Sequence, residues 1–131
     1  MGGQEQHKKS KVVKIDSRKS WEHNIIEATK KGYLVMVHFS AYWCMPSVAM
    51  DPFFEELAST NQDVLFLKVD VDEVKEIASK MEINAMPTFL LMSGGTPVDR
   101  AVGANPDEVR KRMDHFIHQT NSSKSLSIYD A

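Results

Sequence analysis

One cysteine, Cys44, is the only thiol in the 131 residues. No internal disulfide can form, and a zinc cluster built from cysteines is excluded; the cytosol is the default compartment for such a chain. An excess of one charge is also missing. Sixteen Lys and Arg face 18 Asp and Glu, a net charge of -2, so nothing draws a nucleic acid electrostatically. The short clusters Lys8-Lys9, Lys30-Lys31 and Arg110-Lys111-Arg112 are flanked by acids and read as solvated faces. No apolar run nears the ~18 residues that cross a bilayer, and the hydrophilic start lacks a secretory core, so no membrane contact is expected. Met1-Gly2-Gly3 half-resembles a lipidation signal but carries Gln6 where Ser or Thr is wanted. Repeats and low-complexity linkers are absent, and the length suits one domain. The polar ends, 1–11 and 120–131, read as flexible tails around a domain of residues 12–119.

Within that domain short apolar runs alternate with helical stretches. Residues 11–15 are a short β-branched run that suits an edge strand. Ser17 or Ser20 can cap a helix whose stripe is Trp21, Ile25, Ile26 and Ala28, and Gly32 ends it. Residues 33–39 and 64–69 are apolar on nearly every position, as strands buried on both faces are. Between them, residues 45–57 suit a helix kinked at Pro52. A short helix over 73–81, a hairpin of 88–92 and 98–102, and a last helix capped by Asn105 with Pro106 at its first position complete the order. Such an alternation predicts an α/β fold with a mixed central sheet flanked by helices on both faces.

Cys44 stands where a buried strand ends and a helix begins, in Trp43-Cys44-Met45-Pro46-Ser47. A thiol at such a junction faces unpaired backbone N–H groups and the positive end of the helix dipole, which favour a thiolate. A lone cysteine can also be a small buried hydrophobe, but these flanks point to a functional thiol.

Phe39-Ser40-Ala41-Tyr42-Trp43-Cys44-Met45-Pro46-Ser47 resembles the active-site segment of thioredoxins, the plant h-type group above all, and within it the monocysteinic CxxS subgroup. Pro52, Lys68-Val69-Asp70-Val71-Asp72, Met86-Pro87-Thr88 and Val102-Gly103-Ala104 follow in register, so the resemblance spans about residues 12–119. It implies the thioredoxin fold, with a cis Pro87 facing Cys44 and a substrate segment pairing with the backbone beside it. By position, Trp43, Met45, Pro46, Met86, Pro87, Thr88, Gly103 and Ala104 would bind substrate. Met45 replaces the glycine usual in that loop and adds a pliable apolar group beside the thiol.

Two departures from the family bear on mechanism. Ser47 stands where the second cysteine belongs, so Cys44 can attack a disulfide but no internal thiol can clear the adduct. Ser47 remains a hydrogen-bond donor for the thiolate. His38 replaces the buried aspartate that assists the second thiol; both losses agree with a natural monothiol protein. His38 is read as neutral and structural, because burial and the nearby Lys68 both oppose an imidazolium.

Three functions compete. The leading one is disulfide isomerase-like thiol–disulfide exchange on protein thiols and disulfides, with Cys44 as nucleophile, no bound cofactor and glutathione as co-substrate. A second is a binding module in which Cys44 latches extended segments without turnover. A third is an iron–sulfur carrier with glutathione completing the ligands, which the Trp43-to-Ser47 loop fits poorly. His115 and His118 with Asp114 offer too few ligands for a metal. A monomer is expected, with a Cys44-linked or face-to-face dimer as the assembly such a surface allows.

Overall fold

A computed structural model describes residues 10–130, with side chains through residue 119. The chain runs β1 (Val12–Ile15), α1 (Arg18–Lys31), β2 (Leu34–Ser40), α2 (Met45–Val48), α3 (Asp51–Thr60), β3 (Val64–Asp70), α4 (Lys75–Lys80), β4 (Thr88–Ser93), β5 (Thr96–Val102) and α5 (Pro106–Asp130). The five strands form one mixed sheet in the order β1-β3-β2-β4-β5. β3 lies parallel to both β1 and β2, whereas β4 is antiparallel to both β2 and β5.

β2 is central and buried along its whole length, and its alternate side chains serve two cores. Leu34 and Met36 pack with Phe66, Phe89, Phe54 and Leu57 of α3, and Val109, Met113 and Phe116 of α5. Val35, Val37 and Phe39 pack with Leu67, Val69, Trp21 of α1 and Ile77 of α4. Helices therefore cover both faces, and the fold is the thioredoxin fold.

The caps follow the local chemistry. Ser17 accepts from the Ser20 N–H, and Gly32 closes α1 at φ 74. Asn105 Oδ1 accepts from the Glu108 N–H at 3.2 Å. The expected helix over 45–57 is broken into α2 and α3. Pro52 has no N–H, and its ring would strike the carbonyl of Val48, the last residue of α2. α4 is shorter than the expected 73–81. β5 begins at Thr96 and takes in Pro97, which an edge strand tolerates, after a tight turn at Gly94 and Gly95 with φ 60 and 81. α5 continues to Asp130, past the boundary drawn at residue 119. The rest of the 1–11 tail lies outside the described residues except for Ser10 and Lys11.

Candidate active site

The sheet delivers Cys44 to its carboxyl edge. β2 ends at Ser40, and Cys44 becomes the N-cap of α2. The Cys44 carbonyl receives the N–H groups of Ser47 and Val48, both at 3.0 Å, which close the single turn of that helix. Its side chain makes no capping bond and is half-buried. The thiol instead faces the segment before β4, with Sγ 3.7 Å from the Met86 carbonyl oxygen.

That segment is pinned by its own hydrogen bonds. The Met86–Pro87 peptide is cis. The Pro87 carbonyl accepts from the Gly103 N–H at 2.9 Å, and Gly103 takes φ 108, a conformation glycine adopts without a Cβ penalty. Met86 and Gly103 are half-buried, Ala104 and Pro46 exposed, and Pro87 buried. Thr88 is placed differently from the sequence expectation of a substrate contact. It is 1% exposed, and its hydroxyl donates to the Ala85 carbonyl at 2.6 Å, so it shapes the segment from within.

Around the thiol lies an apolar surface. Trp43 is 55% exposed and Met45 69%. The Trp43 indole Nε1–H donates to Asp72 Oδ2 at 2.6 Å, which orients the ring beside Cys44. Asp72 belonged to a matched sequence motif, but its bond to Trp43 spans 29 residues and has no local signature.

Beneath Cys44 the polar residues form a chain. Ser47 is completely buried; its hydroxyl donates to Ser40 Oγ at 2.8 Å and pairs with His38 Nε2 at 3.3 Å. The Ser47 bonds thus run into the protein, toward Ser40 and His38, rather than along the expected line to the thiolate. A hydroxyl has one proton, and the buried Ser40 Oγ takes it. The His38 ring is stacked on Phe89 with centroids 4.6 Å apart and meets the edge of Phe54 at 5.2 Å. Nδ1 lies 3.6 Å from Asp51 Oδ1, beyond hydrogen-bond reach, and has no other partner. Desolvation by burial pushes the His38 pKa down to about 4; the Asp51 carboxylate opposes that and Lys68 adds to it. The imidazole is neutral at physiological pH.

Asp51 is the residue that the sequence reading passed over. Its Oδ2 pairs with Lys68 Nζ at 2.8 Å while its Oδ1 approaches His38, so one carboxylate spans both second-layer groups. The available signal was its spacing: Asp51 lies four residues after Ser47, next to Pro52. Among the described residues no three His, Cys, Asp or Glu side chains converge to hold a metal, and no helix is long and apolar enough to cross a membrane.

The arrangement can be set against known proteins. The thioredoxin family model matches residues 9–115. Thioredoxin-like protein CXXS1 of Arabidopsis thaliana is 52% identical over 111 residues, covering 85% of this chain and 94% of that protein. Thioredoxin-like protein CXXS1 of Oryza sativa subsp. japonica is 48% identical over 105 residues, covering 80% and 79%. The crystal structure of wild-type poplar thioredoxin h, PtTrxh4, superposes with a TM-score of 0.79 at 34% identity, covering 82% of this chain and 96% of that one. A family model that matches most of the chain, and relatives this similar over most of both lengths, leave one conclusion: the chain belongs to the thioredoxin family of thiol–disulfide oxidoreductases, beside its plant h-type and monocysteinic CxxS members.

Proposed function

We propose that the protein is a monothiol exchange catalyst of the disulfide isomerase type, acting on protein disulfides and cleared by a substrate thiol or by glutathione. The Cys44 thiolate attacks one sulfur of a substrate disulfide. That S–S bond breaks, a Cys44–substrate disulfide forms, and the departing sulfur leaves as a thiolate that takes up a proton. A second thiolate then attacks the substrate sulfur, and Cys44 departs as thiolate. When the second thiol is the substrate's own, disulfides are reshuffled without net reduction. When it is glutathione, the substrate leaves carrying glutathione as a mixed disulfide.

The observation that carries this reading is the contrast between positions 44 and 47. Cys44 is half-buried beside the Met86 carbonyl, within reach of a docked segment, whereas Ser47 is fully buried and carries oxygen. Oxygen at Ser47 cannot form the internal disulfide that ends a dithiol cycle. The roles follow from position. Trp43, Met45, Pro46, Gly103 and Ala104 are assigned to substrate contact, and the backbone at Met86 and Pro87 to receiving an extended substrate by strand addition, which demands little of its sequence. Ser47, His38 and Lys68 with Asp51 support the site from below. A cytosolic setting with its glutathione pool suits the cycle.

The test is reactivation of scrambled-disulfide ribonuclease, with and without glutathione, by the protein and by Cys44→Ser. Reactivation that requires Cys44 and quickens with glutathione is expected. Equal background rates in both proteins would overturn the proposal. A Cys44 mixed disulfide that glutathione does not shorten would make the surface a covalent latch instead.

A further inference from the structure

The substrate-facing segment is tied to β5 at both ends, and only one tie is backbone to backbone. At its far end the Pro87 carbonyl receives the Gly103 N–H at 2.9 Å. At its near end the Arg100 guanidinium donates through Nη2 to the Met81 carbonyl at 2.9 Å and through Nη1 to the Glu82 carbonyl at 3.1 Å. Arg100 and Gly103 are three residues apart on and just past β5. We propose that Arg100 is a positioning residue, holding residues 82–87 so that the Met86 backbone stands opposite Cys44 for an incoming chain. The inference rests on the exchange reading above.

The physical case begins at the end of α4. The last carbonyls of a helix lack intrahelical partners. Here those of Ile77, Ala78 and Ser79 are met locally by the N–H groups of Met81, Ile83 and Glu82. Met81 and Glu82 are met instead from β5, nineteen and eighteen residues away in sequence. Glu82 turns with φ 58, a left-handed conformation that costs a residue bearing a Cβ, so something outside the turn must hold it. A planar guanidinium reaches two successive carbonyls at once; an ammonium acts as a single point. Four residues separate Glu82 from Pro87, so a shift at Glu82 is carried directly to Met86.

The experiment compares the parent with Arg100→Met, which keeps the stem and loses the fork, and Arg100→Lys, which keeps the charge. For a peptide disulfide, KM is expected to rise about tenfold in Arg100→Met with kcat little changed, since docking rather than chemistry is disturbed. Arg100→Lys should fall between, and turnover of hydroxyethyl disulfide, which has no chain to dock, should hold. Amide hydrogen exchange at Ile83 and Gly103 should quicken about tenfold in Arg100→Met while Val37 and Val69 stay as in the parent. Unchanged exchange at Ile83 and Gly103, or equal losses with both disulfides, would overturn the inference. A parent that shows no Cys44-dependent exchange would strike the function proposal, and amide exchange would still decide the clamp.

Discussion

Acid should weaken this protein through His38, and replacing that one side chain should remove the effect. The imidazole is fully buried between Phe54 and Phe89 and binds its proton only near pH 4, whereas an unfolded chain binds it near 6.5. Protons therefore favour the unfolded chain throughout that window, so stability falls as pH drops through it and is undiminished above it. Linkage across the two values costs about 2 kcal/mol by pH 5 and about 3 kcal/mol by pH 4 from this residue alone. The assay is urea unfolding of the parent and His38→Gln at pH 7 and pH 5, followed by tryptophan fluorescence, in which the buried Trp21 reports the core. The parent should lose about 2 kcal/mol more than the variant between those values. Equal losses would refute the picture of a neutral, desolvated imidazole, whatever the absolute stability of the variant.

Further outcomes follow from the same geometry. Ser47→Cys should form an internal disulfide with Cys44, seen as two titratable thiols in the reduced protein and none in the oxidised one, and should gain insulin-reducing activity about tenfold or more over the parent. Persistence of both thiols under oxidising conditions would refute it. Phe54→Ala should cost about 3–5 kcal/mol in urea unfolding, because the ring is 1% exposed and packs on Phe66, Phe89 and His38 together. A loss below about 1 kcal/mol would mean that this side of the sheet is loosely packed.

Much of this protein is written locally. The strands showed as β-branched or nearly continuous apolar runs and α1 as an apolar stripe at helical spacing, and Ser17, Gly32 and Asn105 marked helix ends through bonds to neighbours three or four positions away. Cys44 announced itself because a strand-to-helix junction is a feature of adjacent residues, and Ser47 announced the missing second thiol by identity alone. The break between α2 and α3 was foreshadowed by Pro52, but its place at residues 49–50 depended on the carbonyl that the ring must avoid. Only the tertiary structure decided the rest. Asp51 meets Lys68 across 17 residues, Trp43 meets Asp72 across 29, and Arg100 reaches back 18 and 19 residues to the end of α4. The Ser47 hydroxyl turned inward because β2 places Ser40 and His38 below it. Such pairings depend on strand order and register, and those are settled by how two helix layers share one sheet, a choice that no short window of residues records.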